Sequence, residues 1–245
     1  MMTPLLLLVL PLAVDIEVRV PEGTLHGFPI VRDETGRSIG VGDMKQWIER
    51  GRLHVQLEID LADGRHIEEK TVLAARGRLE QLTWSIEERR GKAVLRKFSL
   101  DLASGRATTS KVREDGGTDS ADVRLDGTRG AFCGIGISYA VKNQMVRLDA
   151  GEAVTLSVVA FTPKPRVAKV TVSHIGTGQL AVGGRKISAG QYLVHPEVPA
   201  IAKLFEKVPD ATLWFAPSPP GLLRADIQLL EPSDPTVRIE TIGAP

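Results

Sequence analysis

The feature that most constrains the fold is a strict alternation of apolar and polar residues over residues 52–61. Every second residue from Leu53 onward is leucine, isoleucine or valine, and the residues between them are polar or charged. Since successive side chains of a β-strand point to opposite faces, this alternation predicts a strand with one buried face. Asp63 and Gly64 are typical of a hairpin turn, so residues 65–74 are predicted to form the second strand of a hairpin.

Further short apolar runs follow along the chain and are separated by glycine-containing turns, which is typical of an antiparallel meander. Residues 21–45 contain five glycines and are predicted to form a loop. No β-α-β pattern is present, which disfavours a parallel nucleotide-binding sheet. The remaining predicted strands cover residues 14–20, 79–87, 93–102, 106–113, 152–161, 166–175, 179–195, 211–215, 222–229 and 237–242.

Two short helices are expected beside these strands. Apolar residues at positions 137, 140, 141, 145 and 148 fall on one face of a helix that ends at Ala150 and Gly151. The second helix is predicted for residues 196–207 and begins with a proline. The fold class is therefore mainly β: a curved antiparallel meander, or an open β-barrel or half-barrel, with two short helices. Residues 14–245 are predicted to form a single β-rich domain, in which residues 114–130 form a flexible loop.

The N-terminal apolar run, residues 3–14, has the length of the apolar core of a signal peptide and is too short to span a bilayer. Residues 1–13 are therefore expected to be a signal peptide, which implies a protein that is periplasmic or secreted. The alternative is that this run is an N-terminal strand or core segment of a cytoplasmic protein. The absence of a basic residue before the run favours that alternative.

Charge and cysteine content disfavour several functions. The chain has 31 basic and 30 acidic residues and a formal net charge of +1, so it lacks the basic surplus that nucleic-acid binding requires. Cys133 is the one cysteine, so neither an internal disulfide nor a cysteine-based metal cluster can form within one chain. No nucleic-acid partner and no cofactor are expected.

The candidate catalytic and metal-binding residues each have a more ordinary explanation. His54 and His66 flank the hairpin turn, and a cross-strand pair could bind a metal, but two solvent-facing residues are favoured. Ser138 lies in a Gly-x-Ser-x-Ala pattern that resembles a nucleophile elbow, yet the parallel-sheet context is missing and a helix N-cap is favoured. The basic residues between positions 89 and 97 adjoin acidic residues, so a solvated hairpin end is favoured over a lipid-headgroup site. No catalytic residue or metal ligand is therefore predicted.

Four aromatic residues are the candidates for a ligand site: Trp84, Phe98, Phe161 and Trp214. They would line an apolar cleft if they met on the concave side of a curved sheet, and the alternative is ordinary core packing. Trp214 lies in the most aromatic strand, Ala211-Thr-Leu-Trp-Phe215. It is expected either to pack under the second helix or to line the cleft.

The order of elements in the C-terminal half resembles that of a known group of proteins. A helix precedes Asp149-Ala-Gly151, strands follow with a Gly183-Gly184 turn, and a proline-started helix leads to Ala211–Phe215 and Gly221-Leu-Leu-Arg224. This order, over residues 130–243, resembles a bacterial cell-envelope family known as a domain of unknown function. The resemblance implies a β-rich secreted protein with a curved sheet like that of lipoprotein carriers, and it supplies no catalytic residues.

These observations predict a non-catalytic envelope protein that binds an apolar or amphiphilic, lipid-like molecule on the concave side of its sheet. One alternative is an interaction module that pairs through an exposed strand edge with another envelope protein. A serine hydrolase built on Ser138 is a third and less favoured reading.

Overall fold

The computed structural model describes residues 15–161, 164–182, 185–197, 209–231 and 233–243. The predicted signal peptide and the Gly183-Gly184 turn lie outside the described residues, as does most of the predicted second helix. The described residues contain one α-helix, α1 (Gly136–Asp149), and fifteen strands. The strands are β1 (Leu25–Arg32), β2 (Ser38–Glu49), β3 (Arg52–Leu61), β4 (Arg65–Arg76), β5 (Arg78–Arg90), β6 (Ala93–Asp101), β7 (Arg106–Val112), β8 (Thr118–Arg124), β9 (Ala131–Phe132), β10 (Val154–Phe161), β11 (Pro165–Val182), β12 (Arg185–Pro196), β13 (Ala211–Phe215), β14 (Leu222–Gln228) and β15 (Thr236–Gly243).

All fifteen strands belong to one sheet, in the order β8 to β1 and then β15 to β9. The pairs are antiparallel except β9 with β10, which is parallel. β1 and β15 join the two halves through a register that runs from Gly27 opposite Gly243 to Arg32 opposite Arg238. The mainly β, antiparallel class predicted from the sequence is confirmed, as one open curved sheet.

The chain connection between the two edge strands explains why the sheet must curve. β8 and β9 are opposite edges of the sheet but are consecutive in the chain, and only seven residue steps separate Arg124 from Ala131. Those steps span at most about 25 Å, whereas a flat sheet of fifteen strands would be about 67 Å wide. The sheet therefore curls until its edges approach each other. β9 packs against the concave face at β5, where the Gln81 side chain accepts the Cys133 N–H at 2.6 Å and donates to the Cys133 carbonyl at 3.2 Å.

Alternation along each strand places the apolar residues on the concave face. In β3 the five residues at positions 53, 55, 57, 59 and 61 are buried, as the pattern predicted. β5 and β6 contribute Trp84, Ile86, Phe98 and Leu100 to the same core. Burial of apolar area at about 25 cal/mol per Å² makes this concave face the main source of stability.

Helix α1 covers one end of the concave face. Tyr139, Ala140, Val141, Met145 and Leu148 are buried, which confirms the predicted helix and most of its apolar face. The helix ends where Gly151 adopts a φ of 87° and donates its N–H to the carbonyl of residue 148 at 3.0 Å. No helix in the described part of the chain is long and apolar enough to span a bilayer.

Two segments predicted to be loops form strands. β1, residues 25–32, and most of β2, residues 38–49, fall within the predicted loop 21–45. A Cβ at Gly42 would lie 2.6 Å from the Glu58 carbonyl oxygen. Glycine at this position therefore allows the close approach of β3 and does not mark a turn. Within the predicted flexible loop 114–130, residues 118–124 form β8, because backbone pairing with β7 stabilises a strand that has few apolar residues.

Two predicted boundaries are also wrong. Residues 166–175 and the start of 179–195 are one strand, β11, because Gly176 forms a register shift within the strand where a turn was expected. Residues 15–20 bury Ile16 but make only one β-bridge, between Glu17 and Arg78, so the predicted N-terminal strand is not formed there.

Candidate functional site

The concave face encloses an apolar cavity of about 320 Å³. One wall comes from β1 to β6, and the other from β10 and β12 to β15, with the start of α1 between them. The residues on these walls are mostly leucine, isoleucine, valine and aromatic. A cavity of this size is at the small end of the range typical of pockets for small ligands.

Three of the four predicted aromatic residues meet in this cavity. The ring of Phe161, from β10, lies 5.0 Å from the ring of Trp84 and 5.3 Å from the ring of Phe98, measured between centroids. All three line the cavity and are buried. β10 belongs to the opposite half of the sheet from β5 and β6, so the cluster exists only because the sheet curls.

Trp214 does not belong to this cluster and does not line the cavity, and the helix under which it was alternatively expected to pack lies mostly outside the described residues. Leu213 lines the cavity, and the alternation of β13 puts Trp214 on the opposite, convex face. There its indole N–H donates to the Asp226 carboxylate at 3.3 Å, and the Arg224 guanidinium lies 4.8 Å from its ring centroid. Local sequence alternation fixes which residues share a face but not which face is concave.

We expect Trp214→Ala to lower the free energy of unfolding by about 1–2 kcal/mol, because the partly buried indole loses its contacts with the Arg224 guanidinium, the Asp226 carboxylate and Gly178. Phe161→Ala is the comparison, with an expected loss of about 3–5 kcal/mol for a buried aromatic. Urea denaturation of both variants measures the difference. Equal losses would contradict the placement of Trp214 on the convex face.

Glu69 is the functional candidate that the sequence analysis did not identify. It lies in β4, lines the cavity, and is 8% exposed. Its Oε1 accepts the indole N–H of Trp84 at 2.8 Å and the backbone N–H of Ile135 at 2.7 Å. The sequence pattern of β4 could have indicated its burial, because Glu69 lies on the same face of the strand as the buried Ile67 and Leu73.

Burial gives this carboxyl group an unusual protonation equilibrium. Removal from water raises the pKa of Glu69 above its usual value, and the two N–H donors on Oε1 offset only part of that rise. Two other buried titratable groups interact electrostatically with Glu69: Cys133 and Tyr139, and burial raises the pKa of each above its usual value. Both therefore stay neutral at physiological pH.

A second cavity of about 340 Å³ adjoins the first. The two share five wall residues and therefore lie side by side, and together they are called the trench below. The second cavity is more polar: Lys142 forms an ion pair with Glu22, and the Tyr139 hydroxyl donates to Gln46. The trench thus has an apolar part beside Glu69 and a charged end beside Lys142. The five shared residues are Pro29, Met44, Ser138, Leu222 and Thr241.

A cluster of ionic side chains connects β5, β6 and β7 to a segment that lines the cavity, which is called the strap below. The strap is the β14–β15 connection, residues 229–231 and 233–235, and its residues 229–231 line the cavity. Arg96, 9% exposed in its side chain, binds Glu88 at 2.5 Å and Asp234 at 2.9 Å. Lys111 also pairs with Glu231. The interpretation of the basic run 89–97 as a solvated hairpin end is therefore wrong for Arg96, which shares the inward face of β6 with Phe98.

The remaining candidates do not assemble into a catalytic or metal site. In the strand register His66 lies opposite Asp60 and His54 opposite Val72, so the two histidines do not face each other. Within the described residues no group of three potential metal ligands is present. The Ser138 hydroxyl donates to the Ile135 carbonyl at 2.7 Å and bonds no histidine of the described chain. Ile135, not Ser138, occupies the N-cap position.

Comparisons with known proteins give weak similarities only. No protein-family model and no curated protein matches the sequence. A β-barrel-like protein of domain of unknown function DUF1849 from Brucella abortus has a similar structure, with 9% identity, a TM-score of 0.45, and coverage of 90% of this chain and 95% of that one. The hypothetical lipoprotein YmcC from Escherichia coli shows 13% identity and a TM-score of 0.40 over 90% of this chain and 85% of that one.

These neighbours are bacterial and β-rich, and one is described as a domain of unknown function, as the resemblance in the sequence predicted. At these TM-scores neither neighbour carries an argument about function. The function therefore has to be argued from the cavity.

Proposed function

We propose that this is a non-catalytic binding protein that holds an apolar or amphiphilic, lipid-like molecule in the trench of its concave face. The observation that carries the proposal is the cavity of about 320 Å³, in which Trp84, Phe98 and Phe161 meet. Apolar walls favour a hydrocarbon chain, because its transfer from water gains about 0.8 kcal/mol for each buried methylene group. A location in the cell envelope, with such a ligand or another envelope protein as partner, is part of this proposal.

A cavity-filling substitution tests the proposal. Ala225 lies on the cavity wall and is 6% exposed, so Ala225→Phe places a ring in the space that a ligand would occupy. We expect this variant to bind N-phenyl-1-naphthylamine, an uncharged apolar fluorophore, at least tenfold more weakly than the parent. The measurement is the rise of fluorophore emission on titration with protein.

The matched control is Ala93→Phe, the same change at an exposed position in β6. It is expected to retain the parent affinity. Thermal unfolding of both variants separates loss of binding from loss of fold, since overpacking costs about 1–3 kcal/mol by itself. A parent protein that does not bind the fluorophore, or an Ala225→Phe variant that binds it normally, would contradict the proposal.

Pairing through a strand edge has less support. β8 pairs with β7 on one side, and no described strand lies on its other side. However, β8 carries Asp119, Asp122 and Arg124 and buries no residue. Charged side chains on an edge strand oppose the addition of a further strand. The ligand-binding proposal is therefore preferred.

A further inference from the structure

Glu69 has one carboxylate oxygen in use and one free. Oε1 accepts two N–H donors, from Trp84 and Ile135. Oε2 has no hydrogen-bond partner among the described residues. It is not fully buried, so it remains accessible. The small exposed part of Glu69 thus lies at the cavity, among apolar walls. A polar atom that is presented to an apolar cavity needs a partner from the ligand.

The surroundings decide which kind of partner fits. The other acid of the cavity wall, Glu231, is neutralised by Arg96 and Lys111, so it leaves no free charge near the ligand. Cys133, which follows β9, and Tyr139, in α1, are kept neutral by burial. Desolvation favours the protonated form of Glu69, in which Oε2 carries a proton and donates a hydrogen bond. A donor in an apolar site selects an uncharged acceptor.

We propose that Glu69 is the polar anchor of the cavity and binds the ester or amide carbonyl of a single-chain lipid whose hydrocarbon chain lies along the apolar walls. This inference rests on the proposed function and adds the ligand class. The cavity beside Glu69 holds on the order of ten heavy atoms, at about 30 Å³ each. A medium-length acyl ester fits this space, and a longer chain would extend into the adjoining cavity.

Four probes with chains of similar length test the anchor: methyl decanoate, dodecane, decanoate and decylamine. Their affinities are measured by displacement of N-phenyl-1-naphthylamine between pH 5 and pH 9. For the parent protein we expect the affinity for methyl decanoate to fall about tenfold as pH rises. Because the pKa of Glu69 is raised, the Oε2 proton persists above the pH at which a glutamate usually ionises, and it is lost only as pH rises through that raised pKa. The affinity for dodecane should not change with pH.

Variants of two neighbouring glutamates locate the effect. Glu69→Gln supplies an amide donor that does not titrate, so the pH dependence for methyl decanoate should disappear. Glu68→Gln is the matched control, because Glu68 points to the other face, where it bonds Gln56 and Lys70. It should keep the parent profile. Glu69→Leu removes the donor and should weaken methyl decanoate about tenfold more than it weakens dodecane.

The outcomes separate the two proposals. If neither the ester nor dodecane displaces the fluorophore, the proposed function fails. If both bind with affinities that are independent of pH and of Glu69→Gln, the cavity binds apolar chains and the anchor is wrong. Preference for decylamine, lost in Glu69→Gln, would show a charged carboxylate that binds a cation and would also overturn the proposed ligand class. Retention of the pH dependence in Glu69→Gln would place the titrating group elsewhere.

Discussion

Replacing Arg96 with alanine is expected to lower the free energy of unfolding by about 3–5 kcal/mol, because the change leaves buried carboxylates without their partner. Glu88 is 2% exposed and binds Arg96 at 2.5 Å, and Asp234 binds it at 2.9 Å. Burial by itself acts to lower the pKa of Arg96, but the hydrogen bond and charges of its carboxylate partners outweigh burial and raise it. The guanidinium therefore stays charged and neutralises the cluster.

The same substitution should loosen the strap over the cavity. Asp234 accepts the N–H groups of Leu230 and Glu231, both at 3.1 Å, so it orders the strap while Arg96 fixes it to β6. Urea denaturation measures the stability, and hydrogen exchange of residues 229–231 reports the strap. Arg106→Ala removes an exposed arginine paired with Asp122 and is the control, since exposed pairs of this kind contribute little. An Arg96→Ala variant as stable as this control would show that the buried cluster does not hold the strap.

The second large effect is expected for Gly134→Ala, with a loss of about 3–4 kcal/mol. Gly134 has a φ of 50°, and a Cβ there would overlap Oε1 of Glu69 and the indole nitrogen of Trp84. The left-handed backbone costs alanine about 1–2 kcal/mol. Displacing the Glu69 carboxyl group from its two donors adds about 1.5–3 kcal/mol.

Gly91→Ala isolates the backbone contribution. Gly91 has a similar φ of 58°, but no atom lies within 4 Å of the position its Cβ would take. We expect it to show only the loss due to the left-handed backbone. Thermal or urea unfolding of the two variants gives the difference, which measures the Trp84–Glu69–Ile135 unit. Equal losses would mean that the unit adjusts to the added methyl group without cost.

The alternation of apolar and polar residues predicted much of the fold because it depends only on residues that are close in sequence. The strands β3 to β7 and β10 to β15 follow from apolar residues at every second position, apart from the boundary between β11 and β12, and α1 follows from spacings of three and four. β1, β2 and β8 were missed because they carry glycine or few apolar residues. Such strands are stabilised by backbone bonds to neighbouring strands, and a single-segment pattern does not contain that information.

The candidate site depended on contacts between distant parts of the chain. The sequence singled out Trp84, Phe98 and Phe161, yet only the curl of the sheet brings Phe161 to the other two. The alternation in β13 puts Trp214 and Leu213 on opposite faces of the sheet. Which of the two faces is concave depends on the direction in which the whole sheet bends.

The sequence by itself thus determined the class of fold, the faces of most strands and the helix α1. The tertiary structure decided which face encloses a cavity, which edge approaches which strand, and which charged groups lose contact with water. Glu69 and Arg96 show the reason. In the sequence each is one charged residue beside another, Glu68 and Lys97. Both are buried because their side chains point to the concave face and contact distant parts of the chain. Glu69 bonds Ile135, 66 residues away, and Arg96 bonds Asp234, 138 residues away. Burial is a property of the whole curled sheet, because desolvation depends on every strand that surrounds the group.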